Sequence, residues 1–399
     1  MPSVAASVDD HGSPEKTFID IAREQTTPAV DAALLKIVAA SKTSPLKIMR
    51  DYVGLAFGPG KITFEDYQQL RLFDGEYWAG VNRREIAGKM GSAAIFLTIN
   101  YRHDWWGLVC DKVASGSYLA AYGFPVIPIL TIYASILNPS IARAACNEHR
   151  LKEFLADESS YPLFGKPAES MQSLGSIGLK RYLRRENSLE THDGLIIPLE
   201  AFVAQLRTHY PTGYLFQKFT APHAAIRAIC GDRLATVRFI TLMTEAGPTV
   251  FRACWKIPAG TNSADNYWRK GNLLAQVDIG EGRVLRALSG VGLDLVRVDN
   301  HPDTGAKLIN FQIPHWQRMV DTVLEAARVM RHVPLIGWDV AALDEGPVIV
   351  EMNERPDFSL PQLADGRGVL VPELMNFMAV QKRKCAEEKK SGTLVFSKI

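Results

Sequence analysis

The stretch LIGWDVAALDEGPVIVEMNERPDF, residues 335–358, limits the fold more than any other part of the chain. Two apolar runs flank the turn-rich cluster Asp344-Glu345-Gly346-Pro347, the pattern of a β-hairpin. With the turn centred on Glu345, Asp339 lies opposite Glu351. Alternation then sorts Trp338, Val340, Ala342, Val348, Val350 and Met352 to one face. The other face carries Asp339, Glu351 and Asn353. A slip of one residue breaks this sorting, which favours the register. Two carboxylates that close repel unless one is protonated or a cation sits between them. Asp, Glu and Asn offer hard oxygen ligands, which suit Mg²⁺ or Mn²⁺ rather than zinc. A surface hairpin with a solvated acidic face satisfies the same pattern.

The chain has 399 residues, enough for two or three domains with real cores. At 47% hydrophobic and 22% charged it has the composition of a soluble globular protein. A net charge of +2 gives no overall pull toward nucleic acid or membrane. The five cysteines are scattered without metal spacing, so free thiols in a reducing, cytoplasmic compartment are expected. The N-terminus shows no basic region followed by an apolar core, and no uncharged apolar run is long enough to span a bilayer.

Residues 1–17 are polar and small, a disordered leader. Residues 18–104 read as a mostly helical region forming a separate cap or lobe. Within it, Thr63 and Asp66 have the spacing of a capped helix start, and Ala94–Ile99 reads as a strand. Asp111 can cap a helix that ends near Gly123, with Pro125 next and a strand over Val126–Leu130. Residues 149–160 form a helix, and the strand after it ends at Lys166-Pro167 before a loop rich in Ser and Gly. Glycines let consecutive backbone amides approach phosphate oxygens. A helix from Pro198 to Arg207 precedes a strand over Tyr214–Phe219.

Two hairpins are read next, turning at Gly231-Asp232 and at Glu245-Ala246-Gly247. In the strand ATVRFITLM, Thr236, Arg238 and Ile240 share a face. A cation there needs a partner or a cleft, and a guanidinium's planar fork suits phosphate oxygens. The polar stretch 260–272 contains Asp265 and Asn266 and suits either an active-site loop or an ordinary one. Residues 286–310 read as sheet-edge or insertion material, and an amphipathic helix runs from Pro314 to His332. Residues 381–399 form a charged tail.

Asp on one strand and Glu-x-Asn-x-x-Pro on the next resemble the Mg²⁺-binding end of the ATP-grasp superfamily. The longer run GWDVAALDEGPVIVEMNERPDF is similar to the sugar-transfer-associated ATP-grasp family, linked to polysaccharide assembly. The resemblance extends over about residues 105–365, because its motifs occur in the superfamily's order. It implies an α+β ATP-grasp fold, two α+β lobes gripping ATP over 105–380, the first at 105–215 and the second, with the metal site, at 216–380. It places Lys112 and Lys166 on the nucleotide phosphates, with Lys166 and Arg238 as catalytic cations. Ser173, Gly175, Ser176 and Gly178 form the phosphate-covering loop. Gln217, Lys218 and Phe219 line the adenine hinge, with His223 where many relatives hold the ribose. Asp339, Glu351 and Asn353 become ligands of Mg²⁺ or Mn²⁺. Asp265, Asn266 and Arg355 face the acceptor substrate.

Gln217 and His223 stand where relatives carry acids, and Gly337 stands where many ligases place an arginine two residues before the metal-binding Asp. The activity implied is an ATP-dependent carboxylate–amine ligase working through an acyl phosphate on small-molecule acids and amines. The substrate would be a sugar or peptide precursor of surface polysaccharide. A phosphotransferase on the same fold, or a non-catalytic nucleotide-binding module, are the alternatives.

Overall fold

The structure is a computed structural model. It describes residues 30–41, 43–138, 145–169, 174–262 and 264–393, with 30–33 in backbone only. The leader 1–17 and Ser173 lie outside the described residues.

Two sheets organise the described chain. The first is built from β1 (Ile129–Tyr133), β2 (Ala145–Cys146), β3 (Leu163–Pro167), β4 (Ile177–Leu183), β5 (Ser188–Thr191), β6 (Ile196–Pro198) and β7 (Tyr214–Lys218). Its order is β2-β1-β7-β3-β4-β5-β6, antiparallel except for the β1–β2 pair. The second contains β8 (Thr236–Thr244), β9 (Gly247–Ile257), β10 (Leu273–Val277), β11 (Val284–Ser289), β12 (Val296–Arg297), β13 (Leu335–Ala342) and β14 (Pro347–Asn353). It is antiparallel throughout in the order β12-β11-β10-β9-β8-β13-β14, with β11 and β12 at the edge as the sequence predicts.

Every residue of β13 is buried, because both faces of the second sheet are covered. The helix Trp316–Val329 lays Trp316, Met319 and Val323 against Phe239, Trp255 and Trp338. Its apolar side recurs at helical spacing, as read from the sequence. On the opposite face, Ile37, Ile48, Tyr67 and Trp78 share a core with Cys254, Leu274 and Leu288. Ile95, Phe96 and Ile99 likewise meet Ile240, Leu242 and Leu335. The N-terminal helices are therefore the second sheet's own cover, which corrects the expectation of a separate cap. Asn100 fastens the join. Its Nδ2 donates to the carbonyls of Leu335 at 2.8 Å and Glu354 at 2.7 Å, and its Oδ1 accepts from the Leu335 amide at 2.9 Å.

Several expectations change. Ala94–Ile99 closes the helix Lys89–Ile99, because Ile95, Phe96 and Ile99 are buried at helical spacing. The strand placed at Val126–Leu130 starts at Ile129, and Val126 instead bridges Ile349 of the other sheet. No hairpin forms at Gly231-Asp232. Ala224–Cys230 is a helix that Gly231 ends at φ +70°. The helices Trp106–Cys110 and Lys112–Ala121 bury Val109 and Leu119 in the second sheet's core, so the first lobe does not begin at 105. The charged stretch from 381 continues the helix Pro372–Ser391. Among the described residues, no helix is long and apolar enough to cross a membrane.

Candidate active site

Each side chain of the site is placed by a local rule. Asp111 caps its helix by accepting from the amides of Val113 and Ala114, both at 2.8 Å. The Lys112 amide donates to the Ala168 carbonyl at 3.1 Å, which brings the helix start beside the end of β3 and so beside Lys166. Lys166 lies next to β7, on which Gln217 and Lys218 sit. From the other sheet, β13 and β14 set Asp339 opposite Glu351, as the sequence predicts.

The hairpin reaches that register by a different route. Its tight turn pairs Ala342 with Pro347 and Val340 with Ile349, and a bulge between Asp339 and Val340 restores Asp339 to Glu351. Ile349 therefore joins Trp338, Val340, Ala342 and Met352 in the apolar core. Val348 and Val350 leave it for a small cluster with Ala341 and Ile127, which corrects the predicted face.

The two sheets enclose a cleft between them. Ile127, Phe164, Phe219, Leu234 and Val350 give it apolar walls. Four lysines, Lys112, Lys166, Lys218 and Lys256, face three carboxylates, Asp265, Asp339 and Glu351. Burial pushes the Lys166 ammonium down to about 8; Glu351 opposes this and Lys112 adds to it.

Arg238 lies beneath the cleft, paired with Asp339 across β8 and β13. Its Nε donates to Oδ1 at 2.6 Å and its Nη2 to Oδ2 at 2.9 Å. Burial alone raises the Asp339 carboxyl, but Arg238 and Lys256 outweigh it and hold the group well below the usual carboxylate range. Gly337 explains itself here. A Cβ on it would meet Pro356 Cβ at 2.5 Å and Arg238 Cδ at 3.4 Å. Arg238 reaches from β8 into the space an arginine at 337 would need.

Lys256 is the residue that sequence reading missed. It is buried, 3.1 Å from Asp339 and 3.5 Å from Asp265. Asp265 in turn accepts from the Thr236 amide at 2.8 Å and from the Thr236 hydroxyl. A lysine between Trp255 and Ile257 on a buried strand gives the same signal that singled out Arg238.

The other predicted residues divide between the cleft lining and its surroundings. Gly175 holds a turn at φ +78°, where its carbonyl accepts from the Tyr214 hydroxyl at 2.8 Å. Gly178 pairs with Phe164 and leaves room for the His192 ring stacked on Phe219. Ser176 does line the cleft. Gln217 lines it too, but its Nε2 donates to the Ile127 carbonyl at 2.9 Å. His223 caps the helix Ala224–Cys230, its Nδ1 accepting from Ala225 at 3.1 Å. Asn266 shapes its own loop, accepting from the Trp268 amide at 3.1 Å. Arg355 lies over the Trp106 ring and donates to Glu354 at 2.8 Å.

Asp339, Glu351 and Asn353 offer the hard oxygen ligands that a divalent cation takes. Among the described residues no three His, Cys, Asp or Glu side chains cluster for a metal, so the candidate is two carboxylates and one amide. Asn353 pairs opposite Gly337, and its buried Nδ2 has no hydrogen-bond partner. The two ends of an amide exchange by a half-turn, which brings an oxygen ligand to that point.

Two mixed α+β layers around a cleft lined by lysines and carboxylates define an ATP-grasp protein. The chain belongs to the sugar-transfer associated ATP-grasp family, whose profile matches residues 177–379. No curated protein matches it. Among solved structures, D-alanine–D-alanine ligase from Bacillus anthracis is 12% identical at a TM-score of 0.41, covering 71% of this chain and 70% of that one. Biotin carboxylase from Campylobacter jejuni is 13% identical at a TM-score of 0.40, covering 74% and 53%. L-amino acid ligase from Bacillus licheniformis is 14% identical at a TM-score of 0.37, covering 68% and 50%. The match thus spans about half the length of the last two.

Proposed function

We propose that the protein is an ATP-dependent carboxylate–amine ligase that works through an acyl phosphate. Its substrate would be a small-molecule acid, a sugar or peptide precursor of surface polysaccharide. The observation that carries this reading is the single cleft in which Lys112, Lys166 and Lys256 face Asp339 and Glu351. Excess positive charge at the lining suits a polyphosphate, and the apolar walls suit a base.

In this reading Lys112 and Lys166 hold the phosphates of ATP, and Arg238 acts from beneath by fixing Asp339 through its paired hydrogen bonds. Asp339, Glu351 and Asn353 would hold Mg²⁺ or Mn²⁺, which would supply charge neutralisation for phosphoryl transfer. A substrate carboxylate oxygen attacks the γ-phosphorus, the bond to ADP breaks, and an acyl phosphate forms. An amine nitrogen then attacks the acyl carbon, phosphate leaves, and the nitrogen loses a proton. Neither step needs a nucleophilic side chain. Lys166 donates hydrogen bonds in its charged form, and its burial keeps that charge little screened by water. The apolar walls around it exclude water that would hydrolyse the acyl phosphate.

The test is a screen of carboxylic acids with MgATP and hydroxylamine. Hydroxamate with one ADP released per product is expected, and both vanish in Lys166→Met. A stable phosphate ester in place of hydroxamate would show a phosphotransferase.

A further inference from the structure

The helix Pro45–Ala56 and the loop after it hold no residue of the cleft, yet they turn apolar side chains outward. Leu46 is 81% exposed, Val53 44% and Phe57 90%. At about 100° per residue, these positions fall within about 40° of one another around the axis. They form one outer stripe, while Ile48 and Leu55 form the buried inner one. Phe57 is also held firmly. Three residues on, Gly60 presses so closely on the Ile86 carbonyl that a Cβ would collide with it, and its own carbonyl accepts from Gly88 at 2.9 Å. The base of the loop is pinned, and its aromatic tip points away from the core.

Cations rim the stripe. Lys47, Arg50 and Lys61 are exposed, and Arg84 joins Lys47 and Arg50 along one open groove. Between residues 43 and 64 the sequence contains a single acid, Asp51. That acid is already neutralised. Arg83 donates to its two oxygens at 2.6 and 2.7 Å, and the Tyr67 hydroxyl donates at 2.9 Å. Across residues 43–64 an apolar stripe therefore lies beside positive charge, and the one carboxylate of that segment, Asp51, is already paired.

We propose that this face docks on an anionic lipid surface. Leu46, Val53 and Phe57 enter the boundary between headgroups and acyl chains, and Lys47, Arg50, Lys61 and Arg84 meet lipid phosphates. Charge complementarity selects this occupant. A second copy of the chain, packed by a two-fold axis, would set the same cations against one another. The overall charge of +2 does not show this surface, because it belongs to one helix and one loop rather than to the whole molecule. Docking of this kind would bring the ligase to acids carried on lipid.

Sedimentation of the full chain with vesicles tests the proposal. The protein pellets with vesicles containing about 30% phosphatidylglycerol at low salt, pellets less at about 0.5 M salt, and stays in solution with phosphatidylcholine alone. The double variants Leu46→Glu/Phe57→Glu and Lys47→Glu/Arg50→Glu each lower binding by about tenfold or more. Both pairs are exposed, so the thermal midpoint and MgATP binding stay as in wild type. Failure to pellet with anionic vesicles overturns the proposal, as does equal pelleting with neutral ones. So does a wild-type dimer that Leu46→Glu/Phe57→Glu converts to monomer, since a second copy would then cover the stripe.

Discussion

Arg238 and Asp339 meet as a buried, doubly bonded pair on neighbouring strands, with both hydrogen bonds at 2.9 Å or less. Lys256 approaches the same carboxylate at 3.1 Å, so Asp339 answers two cations at once. The pair locks the strand that carries the arginine to the strand that carries the first candidate metal ligand.

Removing Arg238 leaves buried Asp339 with Lys256 alone, and neutralising Asp339 leaves Arg238 buried without its hydrogen-bonded partner. Arg238→Met is expected to lower unfolding stability by about 3–5 kcal/mol, and Asp339→Asn by a similar amount. The double variant costs clearly less than the two together, because neither charge is then stranded. Urea unfolding of the four proteins measures this, and simple additivity would show that the two side chains act independently.

Asn100 makes an analogous clamp without charge. Asn100→Ala removes three buried hydrogen bonds to Leu335 and Glu354, and a loss of about 3 kcal/mol is expected from the backbone groups left unpaired. Faster hydrogen exchange at the amides of β13 and β14 accompanies it. An unchanged exchange pattern would contradict the role given to Asn100.

How much of this was legible in the sequence depended on whether a local rule or a distant contact decided the outcome. Opposition of Asp339 to Glu351 could be read because two apolar runs and a turn fix a register to within one residue. The bulge that achieves it could not, since no residue type in Pro347–Asn353 marks the extra position. Thr63 and Asp66 were legible as a cap, and their reciprocal bonds are present at 3.1 and 2.9 Å. Ala224–Cys230 differs from the hairpin reading because a short run of six apolar residues around Arg227 fits strand or helix equally well. Lys256 carries no local signal of its partners. What makes it part of the site is Asp265, nine residues on, and Asp339, 83 residues on. The N-terminal helices were taken for a separate lobe because nothing local shows that Ile95 and Phe96 pack on a sheet formed much later in the chain.

Lys166→Met removes a charged donor from the phosphate side of the cleft. MgATP affinity is expected to fall about 10- to 100-fold, the effect of losing a hydrogen bond to a charged group. Isothermal titration reads it directly. An affinity equal to wild type would place the triphosphate elsewhere.

Asp365 gives a pH dependence remote from the cleft. Burial raises its carboxyl from 3.8 to about 6, although Arg252, Arg286 and Arg367 pull the other way. The folded state therefore holds a proton that the unfolded state releases between about pH 4 and 6, so this group's contribution to stability falls as pH rises through that window. Asp365→Asn lacks the titration. Relative to wild type, its stability should improve by about 2–3 kcal/mol between pH 4 and pH 7. Denaturation midpoints of the two proteins across that range check the sign, and a constant difference would contradict it.

The most direct test of the account is calorimetric titration of ATP, with and without Mg²⁺, into wild type and Glu351→Gln. Glu351 lines the cleft at the position paired with Asp339, and the substitution keeps its shape while removing the charge that would hold a metal. The account predicts that wild type binds ATP more tightly with Mg²⁺, and that Glu351→Gln retains the metal-independent part and loses the rest. Equal magnesium dependence in both proteins would contradict the metal site on this hairpin. No ATP binding to wild type under any condition would contradict the cleft as a nucleotide site altogether.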